Sequence, residues 1–420
     1  MATLSFEPPR GMRDFYPEDM LWRNRVFDAW RQAASAFGFQ PYDACVVESL
    51  ELLQRKSGEE VSEQIYHFED KSGRQLALRP EMTPTLARMI AARQGRLTFP
   101  VKWFAVAQCF RYERMTRGRK REHYQLNLDI IGEESVSAEI EVMAAAATAL
   151  EKMGMPADAF RIHVNNRALL SELLDKSGIA AAHHPAVFLA LDKRGKIPDE
   201  AIATLLREEG LDETAIAKTF ELLAVETLDQ AAEMAGADSP AIARLCELFA
   251  LAKVYGIEDR LLFDIAVIRG LSYYTGLVFE AFDTARKFRA IFGGGRYDNL
   301  LTTIGGDPTP AVGLGFGDVV VVEVLKDLLG ETAAAERNGV AIGYMAPEQR
   351  EAAMRLAKTL RDAGETVDLS LGKQKPKAFF SRANAGTCAD AIYIGPDDVT
   401  RGTAKRKHLD TREETEIPLP

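Results

Sequence analysis

Apolar runs of strand length recur along this chain without helices regularly interposed, and that pattern restricts the fold more than any other feature. The runs Gln75 to Leu78, Val101 to Phe110, Leu126 to Ile131, Phe160 to Val164, Leu277 to Phe282 and Ala311 to Phe316 are separated by turn signals. Parallel neighbours need a long crossover, usually helical, so this spacing predicts an α+β protein built on an antiparallel sheet with helices around it. One long amphipathic helix comes first. Between Met20 and Phe37, apolar residues recur at helical spacing (Leu21, Val26, Phe27, Trp30, Ala33, Ala34, Phe37), and Gly38 stands where a helix stops.

Two shifts in composition mark further units. From about Arg167 to Glu258, periodic Ala-, Leu- and Glu-rich segments replace the strand-like runs, which reads as a helical insertion. After Gly330 a polar stretch leads into a strand (Val340 to Tyr344), a helix (Pro347 to Ala363) and two more strands (Thr366 to Leu369, Ala391 to Ile394), so the expected division is residues 1–330 and a compact α/β domain over residues 336–420. A chain of 420 residues suits two or three domains at roughly 150 residues each. Its 47% hydrophobic and 27% charged content excludes disorder and fibres. The cysteines Cys45, Cys109, Cys246 and Cys388 lie far apart with no CxxC pair, so neither a disulfide framework nor a cysteine-rich zinc site is expected. The opening MATLSFEPPRGMRDF lacks a basic and then apolar leader, and no segment approaches the ~18 apolar residues of a membrane helix. A soluble, cytoplasmic protein in a reducing compartment is expected.

Fifty-two basic against 62 acidic residues give a net charge of −10, which argues against bulk attraction to nucleic acid. The densest basic run, Arg111 to Arg121, carries a local charge of +5 and reads either as a binding surface or as a solvated face. Two constellations carry candidate chemistry. In Leu78-Arg79-Pro80-Glu81-Met82-Thr83-Pro84, Glu81 and Thr83 point the same way if the segment is extended, placing a carboxylate and a hydroxyl around an ammonium group; the ordinary alternative is helix capping. In Phe110-Arg111-Tyr112-Glu113, a strand would put a guanidinium fit for phosphate beside a carboxylate fit for an amino group, a pairing that suits a nucleotide.

These segments, together with Ile268-Arg269-Gly270-Leu271-Ser272-Tyr273-Tyr274-Thr275-Gly276 and Gly293-Gly294-Gly295-Arg296-Tyr297-Asp298, resemble the histidyl-tRNA synthetases, class II aminoacyl-tRNA synthetases. The resemblance runs from Pro9 to the end. It implies histidine and ATP as substrates, Mg2+ with ATP, tRNA(His) as acceptor, a homodimer, and an anticodon-binding tail. By position it implies that Arg111 holds the α-phosphate, Glu113 the adenine amino group and Arg119 the γ-phosphate, with His123 where the family usually has an adenine-stacking Phe. Glu81, Thr83 and Gln125 would surround the histidine ammonium, with Asp129, Tyr273 and Tyr274 at its imidazole. Arg269 would be the catalytic cation beside the reacting phosphate; its alternative is a structural salt bridge. No protein-bound metal site is implied.

The chain departs from the family pattern at Ser272, where Asp is usual, at Cys45, where motif 1 has Pro, and at Val320, where motif 3 carries an ATP-contacting Arg. A GFGD form of motif 3, here Gly315 to Asp318, resembles a branch that includes plant organelle enzymes. In the tail, Lys373, Lys375, Lys377, Arg401, Lys405, Arg406 and Lys407 are either phosphate contacts or a solvated face. Two other readings stand beside the enzyme. One is a histidine-binding regulatory subunit of ATP phosphoribosyltransferase; such proteins typically lack the tail and lose the arginines of motif 2, which is here the segment Phe110 to Glu113 with its loop and returning strand, whereas this chain keeps both features. The other is a non-catalytic synthetase-like module, suggested by Val320 alone. The aromatic stripe Phe27, Trp30 and Phe37 is more than one helix needs for its own core, which predicts a partner chain against it.

Overall fold

The computed structural model describes residues 5–56, 64–193, 197–236, 238–268, 273–331 and 337–420. The chain divides into two compact units, Met1–Gly330 and Glu331–Pro420.

In the first unit the strands are β1 (Gln40–Pro41), β2 (Val47–Ser49), β3 (His67–Glu69), β4 (Gln75–Leu78), β5 (Val101–Phe110), β6 (Glu122–Ile131), β7 (Phe160–Asn166), β8 (Leu261–Phe263), β9 (Leu277–Asp283), β10 (Phe292–Arg296) and β11 (Ala311–Gly317). Eight of them form one sheet in the order β1-β5-β6-β11-β10-β9-β7-β8. Every pairing from β5 to β7 is antiparallel, and only the edges, β1 on β5 and β8 on β7, are parallel. The expected antiparallel sheet is therefore present.

The pleat sorts its side chains. On β6, Tyr124, Leu126, Leu128 and Ile130 share one face with Val312, Leu314 and Phe316 of β11, because Leu126 pairs with Phe316 and Leu128 with Leu314. Helix Pro17–Ala36 covers this face: Trp30 meets the Phe316 ring at 5.3 Å and Phe27 meets Tyr124 at 5.2 Å. Helix Ser137–Lys152 joins it, and its buried Glu139 receives a two-pronged ion pair from Arg296 at 2.6 Å. The other face of the same strands carries His123, Gln125, Asn127 and Asp129 of β6 against Gly313, Gly315 and Gly317 of β11, and Gly293 and Gly295 of β10. Large apolar residues fill one side of the sheet, and polar residues with glycines leave the other side open.

The long helix begins earlier than its apolar pattern, at Pro17, because Pro suits the first helical position and the Asp19 carboxylate accepts the Tyr16 amide at 3.2 Å. Its stripe does not await another chain. Phe27 and Trp30 are buried within this one, so the sequence argument for a partner at that stripe is corrected. Among the described residues an exposed apolar surface lies elsewhere, on the small sheet β2-β4-β3. Val47 pairs with Leu78, and Phe68 with Leu76, so all four lie on one face, where Val47 and Phe68 are exposed and Leu76 and Leu78 half-buried.

The insertion is helical as expected, with helices Arg167–Lys176, His184–Asp192, Asp199–Glu208, Glu213–Leu223, Leu228–Ala235 and Pro240–Tyr255. In the second unit, β12 (Val340–Tyr344), β13 (Val367–Leu369), β14 (Asp390–Ile394), β15 (Thr403–His408) and β16 (Glu414–Pro418) form a mixed sheet in the order β13-β12-β14-β15-β16. Its last hairpin pairs much of the tail's basic charge internally. Lys405 and Lys407 meet Glu414 at 3.0 and 3.3 Å, and Arg406 meets Glu365 and Asp390 at 2.8 and 2.6 Å. Lys373, Lys375 and Lys377 remain exposed beside helix Pro376–Ala385.

Candidate active site

A cleft of about 830 Å³ lies over the glycine-rich face of the large sheet. Glu81, Thr83, Arg111, Glu113, Arg119, His123, Gln125, Asp129, Tyr273 and Tyr274 all line it. Arg269 and Ser272 lie outside the described residues.

Glycines admit the polar side chains. A Cβ on Gly313 would stand 2.0 Å from Asp129 Oδ1, one on Gly315 1.9 Å from Gln125 Nε2, and one on Gly295 2.8 Å from the Tyr274 ring. Each of those side chains lies across a neighbouring strand, where any larger residue would stand. The Gly293–Gly295 run is thus the middle of a central strand and not a turn.

Asp129 is 2% exposed, and Tyr297 Oη donates to its Oδ1 at 2.5 Å. Burial first, and then the Asp129 charge, push the Tyr297 phenol well above its ordinary value, so it stays a donor. Tyr42 is raised in the same way by burial and then by Asp129. Glu81 is 4% exposed and accepts from Tyr273 Oη at 3.4 Å, while the Tyr273 and Tyr274 rings lie 4.7 Å apart. Buried Arg79 ties the segment before Glu81 to its surroundings, donating to the carbonyls of Gln108 at 2.9 Å and Ala44 at 3.0 Å. Thr83 opens helix Thr83–Ala91, so Glu81 and Thr83 share the cleft through a turn into a helix rather than along an extended run.

The motif around Arg111 also differs from expectation. β5 ends at Phe110, and Arg111 and Glu113 lie in the loop that follows. Arg111 Nε donates to Pro80 O at 3.0 Å, linking the two constellations, and Glu113 pairs with Arg119 at 2.7 Å. The N-terminal segment braces this loop: the Arg121 amide donates to Gly11 O at 3.0 Å, and Arg13 meets Asp318 at 3.0 Å. Asp318 also accepts the Tyr124 amide at 2.9 Å, so the last residue of the GFGD run fixes β6 and the N-terminal strap together.

His123 stands on β6 with Nε2 3.3 Å from Gln125 Oε1, and burial and then the Arg111 charge pull its pKa down to about 3. A neutral ring presents a flat face without repelling the cations around it. The unfolded chain takes up a proton near the ordinary value of about 6.5, so the stability of the neutral state is complete above that pH and is lost as pH falls towards 3. At pH 5 the loss comes to about 2 kcal/mol. His123→Phe should therefore unfold at a temperature less dependent on pH than the parent between pH 8 and 5. Parallel melting curves for the two proteins would contradict the assignment.

Sequence reasoning missed Tyr297, Tyr42, Gly313 and Gly315. The signal was present in the alternation of Ala311 to Gly317, where every second residue is Ala or Gly. It also missed the loop between β9 and β10, whose Arg286 and Arg289 line the cleft.

The sequence matches the histidyl-tRNA synthetase family over residues 11–317 and the anticodon-binding domain family over residues 320–420. It is 42% identical to the chloroplastic/mitochondrial histidine–tRNA ligase of Arabidopsis thaliana over 418 residues, 99% of this chain and 86% of that one. It is 40% identical to the histidine–tRNA ligase of Opitutus terrae over 430 residues, covering 100% and 97%. The fold resembles the crystal structure of histidyl-tRNA synthetase from Nostoc sp. PCC 7120, with a TM-score of 0.83, 23% identity, and coverage of 99% and 97%.

Proposed function

This chain belongs to the histidyl-tRNA synthetase family, and from that premise we propose that it activates L-histidine with ATP to histidyl-adenylate and transfers the histidyl group to the 3′ end of tRNA(His). The observation that carries this reading is one cleft that holds both an amino-acid-sized set of buried carboxylates and phenols and a set of arginines for a triphosphate.

In this reading Glu81, Thr83 and Gln125 hold the histidine ammonium. Asp129, aimed by Tyr297, accepts one imidazole N–H, with Tyr274 and Tyr273 against the ring. The carboxylate oxygen then attacks the α-phosphorus of ATP and pyrophosphate leaves. Arg111 and Arg269 neutralise the charge that builds on the α-phosphate, which is where fixed cations lower a barrier most. His123 stacks on adenine and Glu113 accepts from its amino group, while Arg119 meets the γ-phosphate. The Glu113–Arg119 pair would exchange one partner each for the nucleotide. Mg2+ is assigned to ATP itself. Phosphate oxygens and water would supply most of its ligands.

The same family supports residues 1–330 as the catalytic domain and residues 336–420 as the anticodon-binding domain, in a cytoplasmic enzyme. It supports a homodimer as well, and the apolar face of Val47, Leu76, Leu78 and Phe68 is the surface we assign to the second copy. Sedimentation should give twice the 46.4 kDa of one chain at micromolar concentration, and Phe68→Lys should shift it towards the monomer. A monomeric parent protein would remove that assignment. The enzymatic reading itself is tested by exchange of pyrophosphate into ATP, which must depend on histidine and on no other amino acid.

A further inference from the structure

Among the described residues, the arginines lining the cleft are Arg111, Arg119, Arg286 and Arg289. Three of them have partners. Arg111 donates to Pro80 O and Arg119 pairs with Glu113, while Arg286 contacts His163 at 3.1 Å and Asp264 at 3.5 Å and stacks on the Phe282 ring at 3.8 Å. Arg289 differs. Among the described residues it has no carboxylate within ion-pair distance and no hydrogen-bond acceptor, and Arg119 is one of the charges acting on it.

Its position is as informative as its lack of a partner. Gly118, at the tip of the motif 2 loop, comes so near that a Cβ there would stand 3.3 Å from Val320 Cγ2 and 3.9 Å from Arg289 Cδ. Arg117, Gly118, Lys287, Phe288, Arg289 and Val320 enclose a further cavity of about 250 Å³. An arginine at position 320, the usual nucleotide clamp, would have to share this space, whereas the short valine leaves it to Arg289. Partial desolvation and then the neighbouring Arg119 pull the Arg289 guanidinium below its ordinary value, against the opposing charges of Glu113 and Glu280.

We infer that Arg289, from the loop between β9 and β10, binds the β- and γ-phosphates of ATP and takes over the contact that Val320 cannot make. The inference rests on the reading of this cleft as an ATP site. It makes Arg289 a nucleotide-binding residue whose contribution depends on the phosphates beyond the first.

The test compares full-length parent, Arg289→Ala, and Arg289→Ala combined with Val320→Arg. Arg289 is exposed, so its truncation removes no core contact. In histidine-dependent pyrophosphate exchange, losing one charge-assisted phosphate contact should raise KM for ATP about 10- to 100-fold and leave KM for histidine nearly unchanged. Inhibition by AMP, which has only the α-phosphate, should be unaffected, and Val320→Arg should restore most of the ATP affinity. An unchanged KM for ATP would overturn the inference, and so would equal weakening of ATP, AMP and histidine. If the parent protein shows no histidine-dependent exchange, it is the enzymatic reading that fails. Calorimetric titration with ATP and with AMP then still decides on Arg289: the preference of the parent for ATP over AMP must fall in Arg289→Ala, and an unchanged preference overturns the inference.

Discussion

Asp129→Asn should cut kcat/KM for histidine about 10³- to 10⁴-fold, because a site built on buried polar partners loses discrimination on that scale when one of them no longer matches. The substitution keeps the shape of the side chain, so the packing over Gly313 is retained. It removes the negative charge that would face the ligand's ring, and it sets an amide N–H where an imidazole N–H must donate. Tyr297 fixes which oxygen faces which way through its 2.5 Å hydrogen bond, so the loss is one of charge and not of aim. KM for ATP should stay within a small factor, since Arg111, Glu113 and Arg119 belong to a different loop. Gly313→Ala provides an independent approach to the same point. Its methyl would stand 2.0 Å from Asp129 Oδ1, so the carboxylate must move and histidine activation must fall while ATP binding persists. Normal histidine kinetics in either variant, with an unchanged melting temperature, would remove Asp129 from the imidazole site.

How far the sequence reveals this site follows from what each motif encodes. The strands Gln75–Leu78 and Val101–Phe110 are read to the residue because apolar content and flanking turn signals coincide there. β10 escapes that reading: between Phe292 and Arg296 the three glycines show no period, and the strand is imposed by the two neighbours that pair with it. Asp129 and Gln125 are recognisable as polar residues in an apolar run, yet the depth at which they lie depends on Gly313 and Gly315 almost 200 positions later. Tertiary pairing also reverses the meaning of the aromatic stripe on the first helix, whose Trp30 is spent against Phe316 of the same chain. Local pattern therefore reports the elements, and cross-strand pairing decides which residues form the site.

Removal of everything after Gly330 should separate the two half-reactions. The tail is a compact unit with its own core, Val340, Ile342 and Tyr344 packed on Ala353, Leu356, Ile392 and Ile394. Pyrophosphate exchange should stay within a few-fold of the parent, because Glu81, Arg111, Gln125, Asp129, Arg269 and Tyr274 all precede the cut. Aminoacylation should fall by about 10³-fold, the cost of some three phosphate or base contacts at roughly 1.5 kcal/mol each. Those contacts are assigned to Lys373, Lys375 and Lys377, since Lys405, Arg406 and Lys407 are already paired with carboxylates of the tail. In the full chain, tRNA charging should weaken steeply with salt, as binding confined to a few basic surfaces on an acidic protein must, and triple replacement of the three lysines by alanine should flatten that slope. Circular dichroism of the truncated protein has to show an intact fold first. Given that, undiminished aminoacylation would take the tail out of the tRNA site and leave acceptor recognition to the basic loop from Arg111 to Arg121 alone.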